Sequence, residues 1–195
     1  MTSRWPVPLV DDDWTPATGV HAAAAALGRQ TLIDWCIDVL TGSALGVDPA
    51  TPSLRWIGGA AAGTDEHRDY WAGPKVAYWP RVWAARALRY VWESDAEHAV
   101  LAGLRDEAWR VRERCCALAG THEIADAAGR LAELTSEVDQ TLRVRLAAIT
   151  ALAEVAEFEQ ADAISRAVTD PVPAMRQAAE QSLRRLSERL DRRLD

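Results

Sequence analysis

The chain has 195 residues, with 22 basic and 29 acidic side chains and a formal net charge of −7 at pH 7. Charged residues make up 26% of it and hydrophobic residues 49%, which excludes a wholly disordered or collagen-like chain and predicts one domain or a short array. All 9 tryptophans lie in the first 109 residues, and there is 1 phenylalanine. The sequence therefore predicts a folded protein with a tryptophan-rich first half.

Membrane and secretory features are not expected. Charged residues break the apolar stretches well before the roughly 20 residues that a membrane-spanning helix needs. The N-terminal MTSRWPVPLVDDDW has neither the basic nor the apolar region of a secretory signal, which favours a cytoplasmic location. The three cysteines, Cys36, Cys115 and Cys116, lack metal-type spacing, so we expect reduced, buried thiols.

The first predicted elements are helices over residues 20–41, broken near Gly28. The alanines at 22–26 favour helix by intrinsic propensity. The second helix carries an apolar stripe that ends at Gly42: Leu32, Trp35, Cys36, Val39 and Leu40. This helix pair is expected to cap the open end of a following stack.

Residues 42–79 differ in character, because Gly, Pro and Ala alternate there. The GGAAAG run at 58–63 indicates a flexible piece, and DEHRD at 65–69 is a charge cluster. That cluster contains group types used in acid/base chemistry, although a solvated loop is the simpler interpretation. The aromatic residues in this segment argue against disorder, since they must find a place away from water.

Two interpretations of these aromatic residues stay open. They form either a lid over the end of the stack or part of a groove or pocket for a ligand or partner. Trp79 and Trp83 are four residues apart, so they share a face if a helix begins by Trp79. The candidates for such a pocket are Trp71, Tyr78, Trp79 and Trp83.

The rest of the chain contains an internal repeat. Four segments align, at 80–88, 111–119, 144–152 and 175–183, with arginines in their second position that are 31, 33 and 31 residues apart. In three of them an aspartate lies six residues earlier, where it can cap the coming helix and pair with an arginine of its own or the next repeat. We call these the ladder residues: Arg81, Asp106, Arg112, Asp139, Arg145, Asp170 and Arg176.

Apolar residues at helical spacing between these segments predict second helices. Ser94 with Glu97 predicts a capping box for the first, and Thr121 predicts a cap for the second. Pro171 with Pro173 permits no earlier start for the last helix. Each unit is then helix, turn, helix of about 31 residues. The units must stack, because one helix pair cannot bury both of its apolar faces.

The pattern D-x-x-x-x-[VM]-R-x-x-A-A-x-x-[AS]-L resembles the HEAT-like repeat, in the short form of phycobilisome lyases and many bacterial proteins. Residues 139–152 and 170–183 match it position by position, whereas the unit with Arg114 and Cys115 departs from it and the first lacks the aspartate. The resemblance implies an all-α, right-handed α-solenoid of stacked antiparallel helix pairs. It divides the chain into a helical cap with a Trp/Gly-rich segment over 1–79 and about three and a half repeats over 80–195, in one continuous domain.

The function implied by this resemblance is a scaffold or binding module that receives a protein or peptide in a concave groove. The candidate groove residues on the second helices are Asp126, Arg130, Asp162 and Arg166. No cofactor, metal or catalytic residue is expected, because no P-loop or nucleophile motif is present and no two histidines are at i, i+4. HEAT-like deoxyhypusine hydroxylases hold iron with several His-Glu pairs, and this chain has only His122-Glu123, which excludes that class by count.

The alternative is a ligand-binding protein or enzyme with an aromatic pocket, either similar to the lyases that handle planar chromophores or to HEAT-like DNA glycosylases. A basic patch would suit nucleic acid, but the net charge of −7 and a groove that leans acidic oppose it. The partner and the oligomeric state stay open. The arginines available for that patch are Arg105, Arg110, Arg112, Arg114, Arg143 and Arg145.

Overall fold

The structure is a computed structural model that describes residues 5–44, 48, 50–137 and 140–191. Within these residues every regular element is helical and no strand occurs, which confirms the all-α class. The ten α-helices of the described ranges are α1 (Pro16–Leu27), α2 (Arg29–Thr41), α3 (Arg55–Gly58), α4 (Tyr78–Ala87), α5 (Glu97–Gly103), α6 (Trp109–Thr121), α7 (Ala128–Ser136), α8 (Leu142–Val155), α9 (Ala161–Ala167) and α10 (Pro173–Leu190). None of them is long and apolar enough to cross a membrane.

The chain forms two compact units, Met1–Val100 and Leu101–Asp195, with the boundary inside α5. Helix α4, the first helix of the predicted repeats, belongs to the first unit. The division predicted at 79/80 stays a prediction about where the repeat pattern begins.

In the first unit, α1 and α2 pack against each other, α2 packs against α4, and α1 packs against α3. The predicted break at Gly28 is confirmed, with φ at 89°, and so is the end of α2 at Gly42, with φ at 79°. Thr15 and Thr18 form a capping box at the start of α1. Local capping therefore sets both ends of this helix pair.

Short helical segments occupy much of the chain from 50 to 79. The expectation of a flexible run at 58–63 is therefore wrong. Residues 59–62 and 65–72 form 3₁₀ segments after α3. Gly58 is buried, and a Cβ there would lie 2.8 Å from Cε3 of the Trp83 ring. The glycine provides room for an indole rather than freedom for the chain.

The second unit contains two layers of helices. Helices α6, α8 and α10 lie side by side, and α7 and α9 pack against them and against each other. Gly120 lets α6 approach α8, because a Cβ there would lie 3.0 Å from the Ala151 Cα. Ser182 of α10 donates to the Ile149 carbonyl of α8 at 2.9 Å. The core is aliphatic: Val111, Leu118, Leu131, Leu134, Val144, Ile149, Leu152, Ile164, Met175 and Leu186.

Two of the predicted helix caps are wrong. Ser94 begins a 3₁₀ turn without a side-chain cap, and Thr121 is the last residue of α6 rather than the first of the next helix. Helix α7 instead follows a 3₁₀ turn at 125–127. Helix α10 begins with Pro173 in its first turn, which confirms that expectation.

The expected burial of the cysteines is confirmed for Cys36, Cys115 and Cys116, and all three are free thiols. Burial raises the pKa of the Cys36 thiol well above its ordinary value. It raises the pKa of Cys116 to about 12, against the opposing charges of Arg112 and Arg130. These thiols therefore stay protonated near neutral pH and behave as small apolar side chains.

Candidate functional site

The ladder residue Arg112 folds back on the turn before its own helix. Its Nη1 donates to the carbonyls of Asp106 at 2.5 Å and Glu107 at 2.9 Å. The Asp106 carboxylate accepts the Ala108 N–H at 2.7 Å. Arginine and aspartate thus hold the same turn through its backbone, which satisfies polar groups at the helix entrance.

The same arrangement recurs at the start of α10. Arg176 Nη1 donates to the carbonyls of Asp170 at 2.8 Å and Pro171 at 3.2 Å, and Asp170 accepts the Val172 N–H at 2.8 Å. Asp170 additionally pairs with Arg145 of the preceding repeat. Asp170 therefore stabilises the turn that follows it and also links two repeats.

Arg145 makes that link from a half-buried position, with 19% of its side chain exposed against 9% for Asp170. Its Nε donates to the Thr135 carbonyl at 2.7 Å. Burial works to raise the pKa of the Asp170 carboxyl, but the Val172 N–H and the positive charge of Arg145 outweigh it and the pKa is lowered.

Two ladder residues stand apart from this arrangement. Arg81 lies in the first unit, where its Nη1 donates to the Ala77 carbonyl at 3.4 Å, one turn back on α4. Asp139 lies outside the described residues. The ladder role of these two positions stays a prediction.

The second unit exposes one continuous side of its α7 and α9 layer. Exposed positions recur there every three or four residues, as on one face of each helix. We call this surface the α7/α9 face and define it by Asp126, Gly129, Glu133, Ser136, Phe158, Glu159, Asp162, Arg166 and Thr169. It includes the predicted groove residues Asp126, Asp162 and Arg166.

Arg130, the fourth predicted groove residue, is turned into its own layer and only 17% of its side chain is exposed. It pairs with Glu133 at 2.9 Å and with Glu137. Burial opposes the charge of Arg130, but the hydrogen bonds of the two glutamates raise its pKa. Arg130 thus neutralises charge inside the layer and leaves little of its own at the surface.

Carboxylates dominate this layer once the turns before α7 and α9 are included. Arg130 and Arg166 are the basic residues of 123–137 and 157–168 in the described chain. Phe158, between two glutamates, is 60% exposed. Neither the phenylalanine nor the extent of the acidic surface was singled out from the sequence, because both depend on which helix faces are covered. The acidic residues are Glu123, Asp126, Glu133, Glu137, Glu157, Glu159 and Asp162.

The layer of α6, α8 and α10 also contains ion pairs, and Arg189 of α10 pairs with Glu157 of the acidic set at 3.5 Å. Arg143 donates to Glu113 at 2.9 Å, and Arg185 pairs with Glu154 at 3.2 Å. Trp109 lies under the guanidinium groups of Arg110 and Arg143, at 4.3 and 5.7 Å from its ring centroid. The ladder arginines Arg112 and Arg145 are half-buried and bound to carbonyls, so they do not extend a basic surface patch.

In the first unit the four predicted aromatic candidates come together. Trp83 is buried, and its ring centroid lies 4.7 Å from that of Trp71 and 6.2 Å from that of Trp79. Tyr78 continues the cluster 5.2 Å from Trp79, and Tyr70, which is 61% exposed, extends it 4.9 Å from Trp71. The shared face of Trp79 and Trp83 is confirmed, since their rings stack at 27°.

A pocket of about 70 Å³ opens beside this cluster. Its walls come from the end of α2, the 3₁₀ segment 65–72 and the start of α4. The lining residues are Val39, Gly42, Ala44, Trp71, Ala72, Ala77, Pro80 and Arg81. We call this the α2–α4 pocket. The α2 side of the pocket could not be predicted from the sequence, because Val39 and Gly42 carry the ordinary signals of a helix core and a helix end.

Two other tryptophans, Trp14 and Trp56, pack within the first unit and away from this pocket. A Cβ at Gly19 would lie 2.4 Å from the Trp14 Nε1, and a Cβ at Gly59 would lie 3.0 Å from Cδ1 of the same indole. Trp56 donates from Nε1 to the Pro6 carbonyl at 3.0 Å and tilts against Trp14 with ring centroids 6.2 Å apart. These two rings pack inside the first unit, whereas Trp71 lines the pocket. The lid interpretation stays a prediction.

The charge cluster at 65–69 is not simply a solvated loop. Arg68 is 7% exposed and donates to the Asp48 carbonyl at 2.7 Å. Asp65 pairs with Arg68 at 3.3 Å and accepts the Ser53 hydroxyl at 2.5 Å. Asp65 and Arg68 thus tie the preceding loop down. No group of three possible metal-ligating side chains occurs among the residues that the structure describes.

Comparisons with known proteins indicate the fold. No protein-family model matches the chain. No curated protein matches it either. Among solved structures it is similar to human deoxyhypusine hydroxylase in complex with glycerol, with a TM-score of 0.51, 19% identity, and coverage of 91% of this chain and 82% of that one. That enzyme is an all-helical HEAT-repeat protein, so the likeness supports a HEAT-like repeat fold and carries no activity.

Proposed function

We propose that the protein is a HEAT-like repeat binding module whose α7/α9 face receives a basic segment of a partner protein. The observation that carries this proposal is the excess of carboxylates on an exposed face built from two successive repeats. Repeat stacks present such extended faces as binding surfaces. Charge of one sign on that face favours a partner of the opposite sign.

The face has both components that protein recognition uses. Asp126, Glu159 and Asp162 provide attraction over a distance, which raises the rate of encounter with a basic chain. Phe158, 60% exposed, provides an apolar anchor that a partner can cover. At Gly129 a Cβ would meet no atom within 4 Å, so a partner backbone can come close to α7 there.

The same charges oppose the nucleic-acid alternative. Binding to a phosphate backbone needs cations that release counterions, and carboxylates on the exposed face repel it. In the opposite layer, Arg143 and Arg185 are paired with glutamates. A protein partner with lysine and arginine side chains is the better match for this unit.

Charge-reversal variants with a matched control test the proposal. Asp126→Lys/Asp162→Lys reverses two charges on the α7/α9 face, and Glu180→Lys/Glu188→Lys makes the same change on exposed positions of α10. Both variants and the wild type are used to capture partners from a lysate and to titrate a lysine/arginine-rich peptide. We expect the first variant alone to lose the recovered partner and to bind the peptide at least about tenfold more weakly.

Equal loss in both double variants would contradict a specific face, because it would reduce the interaction to net charge. Unchanged binding in both would contradict the proposal altogether. Binding through exposed carboxylates should also weaken as salt rises, because ions screen such charges over about 10 Å at 0.1 M.

A further inference from the structure

We propose that Phe158, together with Glu159 and Asp162, binds an arginine side chain of the partner in preference to a lysine. We call these three residues the Phe158 site. The site rests on the proposed function, because all three residues belong to the α7/α9 face. It narrows the basic partner to one that carries an arginine where it meets the turn before α9.

The ring of Phe158 is presented to solvent on a fixed turn. It is 60% exposed, against 40% for Leu142, the other exposed large apolar side chain among the described residues of this unit. The 3₁₀ turn Phe158–Gln160 runs directly into α9. A capping box holds that turn, with the Glu157 N–H donating to Oε1 of Gln160 at 3.0 Å. A ring on such a turn loses little freedom when a partner covers it.

Two carboxylates beside the ring are available to a partner. Asp162 lies three residues after Glu159 and four after Phe158, so the three occupy neighbouring positions on the continuous 3₁₀ and α segment. Glu159 and Asp162 are both exposed, and neither forms an ion pair within the described part of the chain. On the other flank Glu157 already pairs with Nη1 of Arg189 at 3.5 Å. A guanidinium therefore fits beside this turn, and the remaining two carboxylates can take a second one.

The combination of ring and carboxylates favours arginine over lysine. A planar guanidinium stacks flat on an aromatic ring and directs its N–H groups outward in its own plane, toward neighbouring carboxylates. The same stacking occurs elsewhere in this unit, where Trp109 lies under the guanidinium groups of Arg110 and Arg143. A lysine ammonium is a compact, strongly hydrated charge, which gains from the carboxylates but little from the ring.

A single ring reporter tests the site, because the chain contains 1 phenylalanine. The full chain is labelled with isotopic phenylalanine and titrated with two peptides of equal length and charge, one with arginine and one with lysine at every basic position. We expect the arginine peptide to shift the Phe158 ring signals and to bind at least about threefold more tightly than the lysine peptide. Equal affinity of the two peptides, or arginine binding without a change in the ring signals, would overturn the arginine site and leave the proposed function standing. Binding of neither peptide would overturn both.

Variants separate the ring from the charges. Phe158→Leu keeps an apolar side chain without the ring, and the two peptides should then bind equally. Tyr70→Leu, at an exposed aromatic residue of the first unit, should keep the arginine preference. Glu159→Gln should weaken binding of the arginine peptide, whereas Glu180→Gln, on an exposed position of α10, should leave it unchanged.

An arginine preference that persists in Phe158→Leu would refute the role of the ring, and an unchanged affinity in Glu159→Gln would refute the role of that carboxylate. Because the Phe158 side chain is mostly exposed, we expect the leucine variant to fold. If it does not fold, the comparison of the two peptides on the labelled wild type still decides.

Discussion

The cores of the two units are filled by different kinds of residue. In Met1–Val100 large indoles fit against glycines, as Trp83 does at Gly58. In Leu101–Asp195 small and aliphatic side chains fill the core, and arginines tie turns together through backbone carbonyls. The contacts of the second unit recur from one repeat to the next, whereas each indole contact in the first unit occurs once. A change to one residue should therefore affect the two units differently.

The largest expected effect is in the first unit. Trp83→Ala removes the buried ring on which Trp71 and Trp79 pack, and large-to-small changes of this kind cost about 3–5 kcal/mol. Urea unfolding measures the loss. Tyr70→Ala, at the exposed end of the same cluster, is the control and should change stability by less than about 1 kcal/mol. Similar losses in both variants would contradict the assignment of Trp83 as the centre.

The second largest loss of stability is expected when the link between repeats is removed. Arg145→Ala leaves the low-exposure Asp170 carboxylate without its partner and the Thr135 carbonyl without a donor, at a cost of about 2 kcal/mol. The melting temperature should fall accordingly. Arg166→Ala removes an exposed arginine of the same unit and should have little effect. An unchanged melting temperature for Arg145→Ala would refute the ladder.

A pair of glycine variants separates close approach from helix propensity. Gly58→Ala places a Cβ 2.8 Å from the Trp83 ring and should destabilise the chain by about 1–2 kcal/mol. Gly129→Ala meets no atom within 4 Å and should stabilise α7 by about 0.5–1 kcal/mol. Denaturant midpoints of the two variants should therefore move in opposite directions, and a shift of the same sign would contradict the glycine-for-indole arrangement.

The smallest effect concerns pH. Because the folded state lowers the pKa of Asp170, its contribution is full above the unfolded value near 3.9 and is lost as pH falls through the folded pKa. The stability gap between the wild type and Asp170→Asn should therefore narrow below about pH 4. Unfolding at a series of pH values measures that gap. A gap that stays constant to pH 3 would show that the carboxylate charge makes no contribution.

The sequence predicted the repeat unit better than the first unit for a physical reason. Arg112 and Arg176 recur because each donates to carbonyls of the turn before its own helix, and Arg145 donates to a carbonyl at the end of the preceding helix, so their spacing is visible without a structure. The contact between Gly58 and Trp83 occurs once and joins distant positions, and the glycine run around it therefore indicated flexibility. The predictions of helix ends were wrong where a 3₁₀ turn takes the place of a side-chain cap, as at Ser94.

The candidate sites follow the same division. Asp126 and Asp162 could be placed on an exposed face from helical spacing alone, since their neighbours are covered by the repeating partner helices. The α2–α4 pocket could not be predicted, because Val39 and Trp71 come from separate segments that meet only in the folded chain. Phe158 was missed for a related reason, since its exposure depends on the path of a 3₁₀ turn.

The double use of Asp170 has a consequence for the length of the protein. Its carboxylate bonds the turn that follows it and the arginine of the unit that precedes it, so this joint between repeats is complete with residues from two adjacent units. A further copy of the 31-residue segment between Arg145 and Arg176 would bring its own aspartate and its own arginine to each new joint. The array can therefore grow by whole-unit duplication without a change to either neighbour, which is a route by which genes that encode such proteins can lengthen.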